Sequence, residues 1–217
     1  MKMNVASFEI NDYLNHEFAC DCGKVHTTRL EHVRVCEHAK EDILKYLQKH
    51  AYKTVYLIED ENTRRVYGEE LEIYLNANGI DSDHVILGAD VVPDEASVFR
   101  ILVNMKRKYD YILGIGSGTL NDLSKFISYK VSLDYGIAAT APSMDGFASV
   151  GAALIIDDLK TTYDCHVQTA IFADLEVLAN APLDMLKAGL GDIVGKYNCL
   201  VERKIAHILT DEYSCQK

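Results

Sequence analysis

Three glycines at alternate positions, Gly114, Gly116 and Gly118, stand inside the stretch YILGIGSGTLNDLSKF, Tyr111 to Phe126. Apolar residues precede them and a helix-like run follows, which predicts strand, tight turn and helix start. Glycine admits turn conformations closed to other residues and lets the backbone come close to a ligand. The first amides of a helix have no partner within it, and its dipole favours negative charge there. The chemistry expected of Gly116, Ser117, Gly118, Thr119 and Leu120 is therefore to cradle a phosphate. The pattern departs from G-x-G-x-x-G because Thr119 stands at the sixth position. On this stretch alone, a tight turn without a ligand explains the residues equally well.

A second stretch, ATAPSMDGFASVG from Ala139 to Gly151, is rich in small and hydroxyl residues. Small side chains let a flat ring lie against the backbone, and Thr140, Ser143 and Ser149 offer hydrogen bonds. Asp60 follows the apolar run TVYLI (Thr54–Ile58) and is a candidate for a nucleotide ribose, although Asn62 and Thr63 behind it also suit a helix cap. Asp192 is read in the first turn of a helix opened by Gly189-Leu-Gly, where it favours the dipole and can pair with Lys196. Cys20, Cys22, His26, Cys36 and His38 cluster in sequence. Zinc sites space paired cysteines by two to four residues and here only Asp21 intervenes, so an exposed polar hairpin turning at Asp21–Lys24 is the favoured reading. His166, after an expected hairpin, is read as an exposed polar residue.

These residues need a scaffold. Residues 1–30 read as short strand pieces around a turn at Cys22-Gly23. Val35, Ala39, Ile43 and Leu47 recur every four residues and predict a helix over Glu31–His50. Further helices are expected over Thr63–Asn78, Pro93–Lys108 and Leu120–Tyr129. The strands expected are Thr54–Ile58, His84–Leu87, Tyr111–Leu113, Tyr135–Ala139 and Ala170–Ala173, with a hairpin of Ala152–Ile156 and Thr161–Asp164 turning at Asp157-Asp158. Strands alternating with helices predict a parallel sheet wrapped on both faces, with ligands outside the carboxyl ends of the strands. The glycine turn and Thr140–Asp145 both fall at that edge. After about Asn180, β-type residues give way to helix formers: a helix starts at Pro182, and the last one runs from the Gly189 turn to about Leu209.

The whole chain has 217 residues, 48% hydrophobic and 25% charged, with a formal net charge of −11. That balance argues against nucleic acid or an anionic membrane as partner. No apolar run is long enough for a membrane span, and the N-terminal stretch lacks the apolar core of a signal peptide. A cytoplasmic address with reduced cysteines follows as the expectation.

GIGSGTLNDLSKF, ATAPSMDGFAS, IFADLEVLANAP and AGLGDIVGKY, in this order, resemble the sn-glycerol-1-phosphate dehydrogenase family. That family sits in the superfamily of dehydroquinate synthase-like and iron-containing alcohol dehydrogenase-like proteins. CDCGKVH looks like its bacterial branch. The resemblance implies an α/β, Rossmann-like NAD(P)-binding domain over residues 1–180, followed by the beginning of an all-helical domain over 181–217. It implies NAD or NADP on Gly116–Leu120, with Thr140, Ala141, Pro142, Ser143 and Ser149 lining the cofactor site. It makes Asp145 a substrate-contacting acid, and Asp192 both a ligand to zinc or nickel and a substrate contact. The reaction implied is interconversion of dihydroxyacetone phosphate and sn-glycerol 1-phosphate. A polyol dehydrogenase or a non-catalytic NAD-binding module are the alternatives. Dehydroquinate synthase fits less well at Leu120-Asn121-Asp122. The family's two further metal ligands, histidines downstream, have no counterpart here. His207 lies fifteen positions beyond Asp192, roughly 22 Å along a helix. The chain is thus expected to be a fragment or a truncated product. An exposed apolar face is expected around Ile193–Leu209, or its burial in a homo-oligomer.

Overall fold

The computed structural model describes residues 10–215. Residues 1–9, part of the expected N-terminal strand pieces, lie outside them. In chain order the elements are β1 (Glu17–Ala19), β2 (Val25–Thr27), β3 (His32–Cys36), α1 (Ala39–Lys49), β4 (Thr54–Asp60), α2 (Glu61–Thr63), a π-helical turn (Arg64–Gly68), α3 (Glu69–Ala77), β5 (Asp81–Leu87), α4 (Glu95–Val103), β6 (Tyr111–Gly116), α5 (Gly118–Val131), β7 (Asp134–Ala139), β8 (Gly151–Ile156), β9 (Leu159–Asp164), β10 (Ala170–Asp174), α6 (Leu175–Ala179) and α7 (Leu183–Thr210).

Among the described residues the main sheet has six strands in the order β3-β10-β7-β6-β4-β5, all parallel. Alternation along each strand sends side chains to both faces. Val55 and Leu57 of β4, with Tyr111, Leu113 and Ile115 of β6, meet Ile43 and Leu47 of α1 and Leu71 and Leu75 of α3 on one face. Tyr56, Ile58 and Ile112 meet Ile101 of α4 and Leu123 and Ile127 of α5 on the other. Strands buried on both sides read as nearly continuous apolar runs, which is why TVYLI and YIL were legible. After β4 the chain moves outward to β5, and after β6 it moves the opposite way to β7. This reversal opens a crevice between the carboxyl ends of β4 and β6.

Two expected elements are corrected. Glu31–His50 is a strand followed by a helix. His32–Cys36 forms the edge strand β3, paired in parallel with β10, because a one-sided edge strand leaves Val35 exposed and free to imitate a helical repeat. The helix expected to open at Gly189 does not start there. Leu183–Thr210 is one continuous helix of 28 residues, and Asp192 lies in its interior. Reading that acid as a first-turn partner of the dipole therefore fails. The expected β8–β9 hairpin forms and turns at Asp157-Asp158, with Ile156 paired to Leu159.

Candidate active-site cleft at the carboxyl edge of the sheet

A cleft of about 1060 Å3 opens over the crevice, lined largely by the segments that leave the carboxyl ends of the strands, with Glu70 of α3 and Met185 of α7 also on its wall. Asp60 ends β4, Ala89 and Val91 follow β5, Ser117 to Leu120 follow β6, Thr140, Ala141, Ser143 and Met144 follow β7, and Asp174 ends β10. Ser117 precedes α5 with no side-chain cap. The first intrahelical bond there is Asn121 N–H to the Ser117 carbonyl, 2.9 Å. The earlier amides of this turn are left to face the cleft, where they and the dipole favour an anion. The Ser117 hydroxyl bonds that of Ser143 and also donates to the Ala141 carbonyl, 3.3 Å. Thr140 N–H donates to the Gly116 carbonyl, 3.1 Å. The glycine turn and the loop after β7 are thereby one unit.

The structure distributes the expected site residues unevenly. Asp60, Ser117, Gly118, Thr119, Leu120, Thr140, Ala141 and Ser143 all line the cleft. Gly116 is buried in the last position of β6, and Pro142 is exposed with its carbonyl turned against Gly189 of α7. Ser149 is not at the cleft wall. It accepts from Lys125 Nζ at 3.0 Å and donates to the Gly151 carbonyl at 3.2 Å. Asp60 is a helix cap as well as a cleft residue: one carboxylate oxygen accepts from Asn62 N–H (2.8 Å) and Thr63 N–H (2.7 Å).

Asp145 and Asp192 meet one another. The Asp145 amide donates to the Asp192 carboxylate at 2.8 Å, and Lys196 pairs with the Asp145 carboxylate at 3.0 Å. The expected partner of Lys196 was Asp192. One turn of helix places its ammonium on Asp145 instead. The amide bond holds the Asp192 carboxyl below the usual carboxylate range, and Asp145 raises Lys196.

Sequence reading missed the residues that hold this edge together. Lys125 is fully buried, and its ammonium donates to Gly151 O (2.8 Å) and Ser149 Oγ (3.0 Å) beside Asp122 (3.4 Å). Burial lowers its pKa and raises that of Asp122, whose other oxygen accepts from Ala153 N–H at 3.2 Å. Asn121 and Gln168 both donate to the Phe147 carbonyl. The loop from Thr140 to Gly151 is thus tethered to α5 from beneath. Asp174 caps α6 and accepts from Ala39 N–H at the start of α1, 2.8 Å. A lysine and an acid three residues apart on a helix gave the only signal, and it reads as a surface pair. His166 is not exposed as expected: it bonds the Ser128 hydroxyl at 2.8 Å and stacks on Tyr135.

The cleft fits a dinucleotide. Its floor is a glycine turn with open amides, and a Cβ on Gly118 would meet nothing closer than the Met144 side chain at 3.7 Å. The Asp192 region by itself does not fit a divalent metal. Among the described residues, three or more His, Cys, Asp or Glu ligand atoms do not converge there.

Residues 34–182 match the model of the iron-containing alcohol dehydrogenase family. The chain belongs to that family. It is 34% identical over 201 residues to a glycerol-1-phosphate dehydrogenase [NAD(P)+] of Halalkalibacterium halodurans, covering 90% of this chain and 50% of the relative. It is also 34% identical over 191 residues to one of Bacillus subtilis, covering 86% of this chain and 48% of the relative. The expected kinship with glycerol-1-phosphate dehydrogenases is borne out. The chain spans about half the length of these relatives. The same fold is found in glycerol dehydrogenase from Schizosaccharomyces pombe, with TM-score 0.65, 20% identity, and coverage of 76% of this chain and 42% of that one. Among the described residues no helix is long and apolar enough to cross a membrane.

Proposed function

We propose that this family member is the cofactor-binding half of an NAD(P)- and metal-dependent oxidoreductase that interconverts dihydroxyacetone phosphate and sn-glycerol 1-phosphate. The observation that carries the reading is the glycine-floored cleft at the point where the chain reverses, in a chain one-third identical to enzymes named for that reaction. In the proposal the open amides of Gly118, Thr119 and Leu120 hold the pyrophosphate, with Gly116 and Ser117 shaping the turn. Asp60 faces a ribose. Thr140, Ala141, Pro142 and Ser143 set the plane of the nicotinamide, and Ser149 acts from behind the loop through Lys125. When bound, the nicotinamide supplies or accepts the hydride. Asp145, held by Lys196, is proposed to orient the substrate hydroxyls. Asp192 is proposed to contact substrate and to contribute one ligand to a zinc or nickel ion. The proposed division is an α/β domain over residues 1–180 and the beginning of a helical domain over 181–217. The apolar stripe on α7 supports this, because such a stripe requires further helices or a second copy against it. A cytoplasmic address is proposed with it, in keeping with the acidic composition, formal net charge −11.

The test uses the full-length protein with dihydroxyacetone phosphate, NADH or NADPH, and added zinc or nickel. Oxidation of the reduced cofactor is expected, and its absence sinks the proposal. Comparing rates with glycerol and glycerol phosphate decides between this reading and a polyol dehydrogenase. The solitary Asp192 carboxylate favours a second reading for the 217-residue chain alone, a module that binds NAD(H) without turnover. Enhanced NADH fluorescence with no reaction is the result expected of it.

A further inference from the structure

The turn joining β1 and β2 folds back on itself, with Cys20 N–H bonded to the Lys24 carbonyl (3.0 Å) and Gly23 N–H to the Cys20 carbonyl (3.0 Å). Gly23 has φ +84°, which only glycine adopts without strain. This curl gathers the sulfurs of Cys20 and Cys22 near the imidazole of His26. At the other end of the chain, α7 stops at Asp211 in the left-handed conformation, and the segment that follows reaches the hairpin. Cys215 Sγ lies 3.7 Å from Cys20 Sγ and 3.5 Å from His26 Nε2, and Cys22 Sγ lies 3.3 Å from the same nitrogen. All four ligand atoms fall within 4.8 Å of one another.

We propose that Cys20, Cys22, His26 and Cys215 form a structural zinc site that fastens the N-terminal hairpin to the segment after α7. A tetrahedral ion with bonds of about 2.3 Å to sulfur and about 2.0 Å to nitrogen requires edges of ~3.7 Å between sulfurs and ~3.5 Å from sulfur to nitrogen. The Cys20–Cys215, Cys22–His26 and Cys215–His26 edges, at 3.7, 3.3 and 3.5 Å, are of that size, and the other edges are within 4.8 Å. Three thiol groups and an imidazole gain little from bonding one another, since thiols are weak donors. Around a soft divalent ion they form the Cys3His set that zinc prefers. Four protein ligands leave no open position, so the site is structural. It shares no residue with the cleft or with Asp192. Three thiolates around Zn2+ leave one net negative charge. The Tyr213 hydroxyl, 3.0 Å from Cys22 Sγ, donates to that sulfur, and the Lys24 ammonium sits 3.5 Å from the centre of the Tyr213 ring. Cys36 and His38, near in sequence, take no part. The missing fourth donor comes from 189 positions beyond His26.

The test measures metal per chain in this chain and in the full-length protein, both purified with zinc present. Cys22→Ser and Cys215→Ser should each lose one zinc per chain, whereas Asp192→Ala should retain that ion. Cobalt exchanged into the site should show thiolate charge-transfer absorption and the visible bands of a tetrahedral centre. Should the cysteine variants fold poorly, X-ray absorption of the zinc-loaded parent decides, with three sulfurs and one nitrogen expected in the first shell. A shell of oxygen and nitrogen only overturns the proposal. So does zinc that leaves only with Asp192→Ala, or a mapped disulfide between Cys20 and Cys215 in unreduced protein.

Discussion

A Cβ on Gly116 would overlap the Leu120 side chain, whereas one on Gly118 finds ordinary contact distances. The two glycines therefore separate stability from binding. Gly116→Ala should destabilise the chain by about 1–3 kcal/mol in urea unfolding, because the overlap must be relieved inside the core. Gly118→Ala should fold at least as well, since alanine is the better helix former, yet weaken NADH binding about tenfold, ~1.4 kcal/mol. Equal affinity in the two proteins would remove the phosphate role from this turn. Glu59, 0% exposed, bonds Arg64 at 3.0 Å through one oxygen while the other, against Gly68, finds no partner. Burial pushes its carboxyl up from 4.5 to about 7, with Arg64 opposing. Between those two values the unfolded chain has lost a proton that the folded chain keeps, so stability falls as pH rises through this window and levels off above it. Glu59→Gln should flatten that fall and gain on the parent by roughly 3 kcal/mol between pH 4.5 and 7.5. Parallel stability curves for the two proteins would show that Glu59 does not titrate there. At this scale the sequence exposed the glycines, because three of them at alternate positions between an apolar run and a helix-like run mark a tight turn. It hid Glu59 and Lys125, because a charge beside a strand or on a helix reads as solvated until the layer above it is known.

Among elements, α7 shows where sequence reading runs out. Gly189 and Gly191 resemble a helix boundary, and local propensity agrees. Yet Gly189 is buried in mid-helix because a Cβ there would overlap the Pro142 carbonyl. The glycine is the price of bringing α7 against the loop after β7, so that Asp192 can accept the Asp145 amide. Gly189→Ala should therefore act against propensity. An isolated helix would gain ~1 kcal/mol. This chain should lose about 1–3 kcal/mol, with faster amide exchange over residues 140–146. A stabilised variant would mean that α7 does not rest on the loop. The central strands were legible because burial on two faces leaves a continuous apolar run. The edge strand β3 was not, because its exposed Val35 fell into step with the helix that follows. The cysteine cluster was half legible: Cys20, Cys22 and His26 were seen together, but nothing local indicates a partner from the other end of the chain.

Across the whole molecule, the apolar residues of α7 remain uncovered. Tyr197 is 74% exposed, Leu200 65% and Ile208 71%. A stripe of that extent, in a chain that covers half its relatives, favours association. The 217-residue chain should bind a hydrophobic dye and sediment faster as concentration rises, and Leu200→Lys with Ile208→Lys should suppress both effects. Concentration-independent sedimentation of the parent would show that the stripe is inert. The parallel sheet and its ligand edge could be anticipated from alternation alone. The fate of α7 could not, since an amphipathic helix announces that it needs a neighbour without saying which. The reversal of direction between β4 and β6 also bears on binding. Two connections cross that gap, through α1 from β3 to β4 and through α4 from β5 to β6, whereas the segments leaving the carboxyl ends of β4 and β6 part to opposite flanks. A guest lodged across that open edge would act as a rivet, pinning together two loops that set off in opposite directions.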